Sequence, residues 1–268
     1  MSTAASPVIA LLGLGEVGSN FAADLVSGGA SVRGFDPRVP APGSIVACAS
    51  DADAARGAGL ILSVTTAHDA LDALREARPG IEAGAIYADL NTGSARLKQT
   101  LAGVAEQVGA AFVDVALMAP VPGLGLGTPM LACGPGAEDY ARFLRPLGAN
   151  VAVLTGPPGT AATRKLLRSV FYKGLAAAVT ESLRAGRAAG CADWLRDDIA
   201  RVLADASAAT VDRLEQGSWR HARRRADEMS AAGDLLDDLG VPARIARASQ
   251  AWLEQLVNEG DETGQPRP

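Results

Sequence analysis

The chain has 268 residues, 48% of them hydrophobic and 21% charged, a composition typical of a folded globular protein. Its net charge of −5 argues against a protein that binds nucleic acid or an acidic membrane surface. No segment is apolar over the length that a bilayer span requires, and the first residues lack the basic segment of a signal peptide.

The cysteines and histidines form no metal-ligand pattern. Cys48, Cys133 and Cys191 are odd in number and widely spaced, which favours a reduced setting. Neither His68 nor His221 has metal-ligating companions, so no metal is expected. We therefore predict a cytoplasmic protein that acts on a small molecule.

Short apolar segments alternate with helical patterns over residues 8–155, as in repeated βαβ units. The predicted strands are 8–13, 31–35, 59–65, 84–90, 110–117, 130–134 and 150–155. The predicted helices are 19–29, 67–77 and 137–147. This alternation predicts an α/β fold with a Rossmann-type, doubly wound and mostly parallel sheet.

From residue 160 onward the sequence reads as helix only. The first predicted helix has about 30 residues and would span about 45 Å, a length that suits a connection between domains. Further helices are predicted at 193–214, 219–239 and 242–258, followed by a frayed tail. We expect a dinucleotide-binding domain at 1–157 and an all-α domain at 158–268 that contacts substrate and forms a homodimer.

A glycine-rich loop, "GLGEVG", follows the first predicted strand in the spacing G-x-G-x-x-G. In such loops the first glycine allows a tight turn, the second lets a pyrophosphate approach, and the third lets the helix lie close to the strand. The alternative is a turn that binds nothing, but the strand–loop–helix context favours dinucleotide binding. The predicted cofactor contacts here are Gly13, Leu14, Gly15, Glu16, Val17 and Gly18.

Asp36 ends the second predicted strand. A carboxylate at this point can accept hydrogen bonds from both ribose hydroxyls and would repel a 2′-phosphate, which favours NAD over NADP. Arg38 is a conflicting signal, because an arginine can pair with that phosphate. The alternative for Asp36 is a turn residue before Pro37. We expect NAD or NADP as cofactor, with NAD favoured.

With these features in place, the chain resembles the β-hydroxyacid dehydrogenase family, which includes 3-hydroxyisobutyrate dehydrogenase and 6-phosphogluconate dehydrogenase. The segment "GLGEVGSNFAADL" keeps the N-terminal family pattern, and "DLNTGS" is similar to the family segment D-x-S/N-T. Gly156, Gly159 and Lys165 match the catalytic segment G-x-x-G-x-G-x-x-x-K-x-x-x-N, while Ala161 replaces its third glycine and Ser169 its asparagine.

The resemblance implies a hydride-transferring enzyme with Lys165 as the acid/base and Ser169 as a substrate contact. It also implies that Asn91 contacts cofactor and substrate, and that Thr65 contacts the cofactor. The helical pattern alone favours a position of Lys165 on the solvated face of an amphipathic helix. The GxxG segment before it, the domain junction and the upstream glycine-rich loop favour the acid/base instead.

The chain departs from the family in its substrate loop. Met118, Ala119 and Pro120 stand where the family has Ser-Gly-Gly, and Asp227 replaces a lysine nearer the C-terminus. Proline has no N–H to offer a substrate carboxylate, so the substrate need not be a simple 3-hydroxy acid. His221 lies on a basic helix face that either contacts an anionic substrate or is simply solvated.

Three functions remain open from the sequence. The first is an NAD(P)-dependent dehydrogenase or reductase acting on a small hydroxy acid or a related alcohol. The second is an imine reductase, although such enzymes usually carry another residue at the position of Lys165. The third is a non-catalytic nucleotide sensor, which would have no need of the lysine.

Overall fold

The computed structural model describes residues 8–263, with side chains described as far as residue 260. These residues form two compact units that meet between Arg168 and Ser169. The predicted functional division at residues 157 and 158 stays a prediction. The last five residues of the predicted frayed tail lie outside the described residues.

The first unit is built on an eight-stranded sheet in the order β3-β2-β1-β4-β5-β6-β7-β8. Its strands are β1 (Val8–Leu12), β2 (Ser31–Phe35), β3 (Val46–Ala47), β4 (Leu60–Ser63), β5 (Ile86–Asp89), β6 (Ala111–Leu117), β7 (Met130–Cys133) and β8 (Val151–Val153). Neighbouring strands are parallel except β6 and β7, which pair antiparallel. The predicted Rossmann-type, mostly parallel sheet is therefore confirmed.

The helices of this unit cover the sheet. They are α1 (Glu16–Ser27), α2 (Asp51–Ala55), α3 (Ala70–Ala77), α4 (Ala95–Glu106) and α5 (Ala137–Leu144). The sequence did not predict β3, α2 or α4. The strand β3 has two exposed residues and α2 has five residues, so both are too short for a periodic pattern.

The residues of β1 show how the alternation of side chains fills a core on each face of the sheet. Ile9 and Leu11 join the cluster that contains Phe21 of α1. Ala10 and Leu12 join the opposite cluster, with Tyr87 and other residues of neighbouring elements. All four β1 residues have no exposed surface.

A long helix, α6 (Thr160–Ala188), contains the boundary between the two units. The helices α7 (Ala192–Ala204), α8 (Ala208–Arg220), α9 (Ala222–Asp238) and α10 (Arg244–Thr263) follow it. The prediction of one helix over 193–214 is wrong. The chain breaks after Ala204, and α8 starts where the Ser207 N–H donates to Thr210 Oγ1 at 3.1 Å.

The second unit packs largely through small side chains. One of its buried clusters contains Ala185, Ala243 and Ala246, and another contains Ala222 and Ala226. Small residues let helices approach closely, which agrees with the alanine-rich sequence. Across residues 8–263, no helix is both long enough and apolar enough to traverse a bilayer.

Candidate functional site

The glycine-rich loop lies between β1 and α1, and its glycines are required for different reasons. Gly13 has φ of +100°, and a Cβ there would lie 2.7 Å from the carbonyl oxygen of Val64. A Cβ on Gly18 would lie 2.2 Å from the carbonyl oxygen of Gly13. A Cβ on Gly15 would meet no atom of the described residues within 4 Å. The loop is thus tight at its first and third glycines and open at its second, as a pyrophosphate cradle requires.

The other residues of the loop differ in their surroundings. The Leu14 side chain is buried, and its N–H donates to Asp36 Oδ2 at 2.8 Å. Val17 is half-buried against the core, whereas Glu16 is exposed in the first turn of α1. Gly15 caps α1 without a side-chain hydrogen bond, which leaves the helix N-terminus suited to an anionic group.

Asp36 is held in its ionised form by backbone donors. In addition to Leu14, the N–H groups of Arg38 and Val39 donate to its Oδ1 at 2.8 and 3.0 Å. Burial alone would raise the pKa of the Asp36 carboxyl, but these hydrogen bonds and the charge of Arg38 outweigh it, so the pKa is lowered. Asp36 therefore presents a fixed negative charge at the end of β2.

Four of the predicted cofactor residues converge on one cleft of about 340 Å³: Gly13, Asp36, Arg38 and Thr65. Five carboxylates line this cleft, from Asp36, Asp51, Asp69, Asp72 and Glu76. The exposed Arg38 guanidinium pairs with Asp69 at 3.2 Å. The cleft is therefore strongly acidic, and the cation that a 2′-phosphate would need is already paired.

Asp51 is the most perturbed carboxyl of this cleft. Burial, a hydrogen bond with Glu76 and the negative charge of Glu76 together raise the pKa of Asp51 to about 7. Sequence reasoning missed this pair, because nothing in the local pattern of α2 and α3 shows that the two side chains meet.

Asn91 lies just past the end of β5, in a buried network of hydrogen bonds. Its Nδ2 is 2.5 Å from Asp89 Oδ1, 3.1 Å from Ser63 Oγ and 3.2 Å from Thr65 Oγ1. Because these oxygens surround the amide nitrogen, a ligand contact from Asn91 would have to use its carbonyl oxygen. The network joins Asn91 to Thr65 and hence to the cleft.

Lys98 is fully buried on α4 and was not singled out by the sequence. Its Nζ lies 2.6 Å from Asp89 Oδ2, 2.8 Å from the Asp89 carbonyl oxygen and 3.2 Å from Asp114 Oδ1. None of the three side chains is exposed to solvent. The available signal was the pair of aspartates inside apolar strands, since buried carboxylates need a cation or donors nearby.

Asp114 continues this network to the start of α6. Its Oδ2 accepts hydrogen bonds from the N–H groups of Gly159 at 2.9 Å and Ala162 at 3.0 Å. Gly159 has φ of +104°, and a Cβ there would lie 2.8 Å from the Cβ of Ala95. The Asp114 carboxylate, supplied by β6, therefore satisfies two of the amides that a helix start leaves without partners.

The predicted catalytic and substrate residues are distributed over both units. Lys165 is half-buried on α6 in the first unit, one turn before the half-buried Ser169 of the second. Met118 follows β6, packs in the cluster that contains Ala161, and donates its N–H to the Pro129 carbonyl at 2.8 Å. The next two residues are the half-buried Ala119 and the exposed Pro120.

His221 belongs to a separate pocket of the second unit. This pocket has a volume of about 440 Å³ and is also lined by Arg213, Arg220 and Arg225. Asp227, which replaces a family lysine, is exposed on α9. In the part of the chain that the structure describes, no group of three or more histidine, cysteine or carboxylate side chains is placed to hold a metal ion.

A parallel sheet with this glycine loop and an acid at the end of β2 defines a dinucleotide-binding domain of the Rossmann type. Residues 8–156 match the family described as the NAD binding domain of 6-phosphogluconate dehydrogenase, and the chain belongs to this family. Residues 187–256 match a second family, described as a domain of unknown function (DUF1932). The predicted relationship to the hydroxyacid dehydrogenases and the predicted nicotinamide-cofactor domain of an oxidoreductase are confirmed.

Known proteins share the architecture over most of the chain. A conserved protein of unknown function, described as structurally similar to 3-hydroxyacid dehydrogenases, is 26% identical, with a TM-score of 0.60 over 97% of this chain and 100% of that one. An imine reductase from Myxococcus stipitatus in complex with NADP⁺ has the same fold, with 19% identity and a TM-score of 0.80 over 95% of each chain.

A curated relative from Methanothermus fervidus adds no functional name. It is an uncharacterized 28.5 kDa protein, 25% identical over 177 residues, which are 66% of this chain and 67% of that protein.

Proposed function

We propose that this chain transfers hydride between NAD and a small hydroxy acid or a related alcohol or carbonyl compound, with Lys165 as the acid/base. The observation that carries the proposal is the acidic cleft at the carboxyl ends of the parallel strands, where Gly13, Asp36 and Thr65 meet. Ligands of doubly wound sheets bind at such edges. Membership in an NAD-binding family supports the same reading.

The residues of the cleft fit this cofactor. The open space at Gly15 suits a pyrophosphate, and the ionised Asp36 suits ribose hydroxyls better than a phosphate. Asp69 pairs with Arg38, which further favours NAD over NADP. When bound, the nicotinamide ring supplies the hydride acceptor or donor.

Lys165 would move the proton that accompanies this transfer. In the oxidation direction its Nζ accepts the proton of the substrate hydroxyl, and in the reduction direction it returns a proton to the carbonyl oxygen. Ser169 lies one helical turn further along α6 and would orient the same substrate oxygen by a hydrogen bond. Asn91 would accept a hydrogen bond from the cofactor or the substrate through its side-chain carbonyl oxygen.

The loop after β6 narrows the substrate class. Met118 uses its N–H within the protein, and Pro120 has none. Such a loop offers a substrate carboxylate fewer donors than Ser-Gly-Gly would, and Met118 and Ala119 offer apolar contact instead. We therefore expect the substrate to carry an apolar group where family substrates carry a carboxylate.

The proposal is tested by cofactor titration followed by a substrate screen. NADH and NADPH are titrated by fluorescence, and hydroxy acids, alcohols and cyclic imines are then assayed with wild type, Lys165→Ala and Lys173→Ala. Lys173 is an exposed lysine of the same helix and serves as the matched control. We expect tighter NADH binding, alcohol oxidation by wild type and Lys173→Ala, and a loss of about 10²-fold or more in Lys165→Ala.

Three results would contradict parts of this proposal. Turnover that survives in Lys165→Ala excludes the lysine mechanism. Reduction of imines without oxidation of any alcohol identifies an imine reductase. Cofactor binding without turnover of any compound identifies a nucleotide sensor.

We also propose that a second copy of the chain covers the apolar surface of the second unit. A groove of about 830 Å³ is lined by Val170, Phe171, Leu175, Leu214 and Trp252 among others. Large exposed apolar patches mark interaction sites. A monomeric mass in sedimentation equilibrium at micromolar concentration would refute the homodimer.

A further inference from the structure

We infer that Lys98 is a positioning residue: with Asp89 and Asp114 it forms a buried charged triad that fixes the first turn of α6 and thereby places Lys165. This inference rests on the proposed function for its catalytic consequence. Its structural part, the fixing of the first turn of α6, can be measured without cofactor or substrate.

The triad is not explained by stability alone. Two carboxyl groups share one ammonium group in the interior of the first unit, and none of the three side chains has any exposed surface. Buried ion pairs lose hydration that their mutual attraction often fails to restore, and apolar replacements of similar size are frequently tolerated. Such a group contributes above all to a defined geometry.

A continuous series of hydrogen bonds and ion pairs connects the cleft to the first turn of α6. Asn91 Nδ2 joins Thr65 Oγ1 to Asp89 Oδ1, at 3.2 and 2.5 Å. Lys98 then bridges Asp89 to Asp114, at 2.6 and 3.2 Å. Asp114 Oδ2 finally accepts the first-turn amides of α6. The residues expected to contact the cofactor and the helix that carries Lys165 are thus joined through one ammonium group.

The charge of Lys98 decides whether Asp114 can hold this position. Asp89 and Asp114 are register partners on adjacent strands, so their carboxyl groups approach each other. Within the described residues, Asp114 Oδ1 has no hydrogen-bond partner and faces the Lys98 ammonium. Without that ammonium, the two facing carboxylates repel each other across adjacent strands. This repulsion would displace Asp114 from the α6 amides that it accepts.

The consequence reaches Lys165 along the helix. The amide of Ala162 is one of the two that Asp114 accepts, and Lys165 lies one turn further along the same helix. Loosening of this turn would let Lys165 move relative to the cleft. A displacement on the order of 1 Å can lower turnover by about 10²-fold without a comparable loss of binding.

The test combines hydrogen–deuterium exchange of the cofactor-free protein with kinetics. The variants are Lys98→Met, which removes the charged group and keeps most of the length of the side chain, and Leu101→Ala as the matched control. Leu101 is a fully buried residue on the same face of α4, so its truncation disturbs the packing of this helix and leaves the three charged groups of the triad in place.

We expect the amides of residues 159–162 to exchange at least about tenfold faster in Lys98→Met, with β1 unchanged. They should keep their wild-type rate in Leu101→Ala. We further expect kcat to fall by about 10–10²-fold in Lys98→Met, with the dissociation constant for NADH changed by less than about threefold. Leu101→Ala should leave kcat near the wild-type value at a temperature where it is folded.

A second variant rescues the first. In Lys98→Met/Asp89→Asn the repelling carboxylate is absent, so Asp114 keeps its position and protection at residues 159–162 should return to within about threefold of Asp89→Asn alone. If Lys98→Met does not fold, this double variant is compared directly with Asp89→Asn. A merely structural role for Lys98 predicts no rescue, because the apolar replacement is the same in both variants.

The two proposals fail in different ways. Wild-type exchange at residues 159–162 in folded Lys98→Met, or fast exchange in the folded double variant, overturns the positioning role. A reaction that proceeds in Lys165→Ala overturns the proposed function, even if exchange at 159–162 follows the triad as expected.

Discussion

The two compact units differ in whether their large apolar side chains are buried or exposed. In the first unit Phe21 and Tyr87 are fully buried and Phe112 is 1% exposed. In the second unit Phe171 and Trp252 are each 61% exposed, and the buried clusters consist mainly of alanine and leucine. The first unit thus buries its large apolar side chains, whereas the second leaves apolar area exposed, as interaction surfaces do.

The largest effect is expected at the third glycine of the glycine-rich loop. Gly18→Ala should lower the free energy of unfolding by about 3 kcal/mol or more, because the added Cβ would lie 2.2 Å from a backbone oxygen. Gly15→Ala is the matched control, since its Cβ meets open space. It should change stability by less than about 0.5 kcal/mol and weaken NADH binding. Urea unfolding and NADH titration measure both, and equal destabilisation by the two would contradict the loop geometry.

Asp51→Asn should remove a pH-dependent destabilisation of the first unit, which arises when the buried Asp51 carboxyl group ionises. Asp51 has a pKa of about 7 when folded and an ordinary value of 3.8. Between these values Asp51 retains a proton in the folded chain that it releases in the unfolded chain, so the contribution of Asp51 to the free energy of unfolding falls as pH rises from about 4 to 7. The destabilisation by ionised Asp51 is fully present above pH 7 and absent below about pH 4.

At pH 8 the Asp51→Asn variant should therefore be more stable than wild type by about 2–4 kcal/mol, and near pH 4 the two should be equal. Urea unfolding at each pH, followed by circular dichroism, measures the difference. Two parallel stability curves would show that Asp51 is not buried against Glu76.

Asp36→Ser should have a smaller effect on stability and a clear effect on cofactor preference. Loss of the charged acceptor for the Leu14, Arg38 and Val39 amides should cost about 1 kcal/mol. Removal of the negative charge should shift the ratio of NADH to NADPH affinity toward NADPH by about tenfold, or about 1.4 kcal/mol. An unchanged ratio would mean that another part of the cleft selects the cofactor.

The smallest effect on the stability of a single chain is expected in the second unit. Phe171→Ser replaces a side chain that is already 61% exposed, so the unfolding free energy of the monomer should change by less than about 0.5 kcal/mol. Its effect should appear instead in the mass measured by sedimentation, as dissociation of the proposed dimer. A variant that stays dimeric would place the interface elsewhere.

Seven of the eight strands of the first unit could be predicted because each is a short, mainly apolar segment, whereas β3 has only two residues, both exposed. The glycine loop could be predicted because its residues are adjacent in sequence. The helix α4 escaped detection since Lys98 occupies a core position beside Leu101 and Ala105, which interrupts the apolar pattern. The break between α7 and α8 contains neither glycine nor proline. The triad could not be predicted, because it joins residues from a strand, a helix and a second strand that only the fold brings together.

Cys133 offers a chemical reporter for the start of α6. Its buried thiol donates to Asp114 Oδ2 at 3.4 Å and accepts the N–H of Ala161 at 3.3 Å. Burial raises the pKa of this thiol, and the Asp114 charge raises it further, so the folded state protects it from alkylation. In a chain whose other two cysteines are replaced by serine, the rate of Cys133 labelling would report how often the start of α6, the helix that carries Lys165, opens.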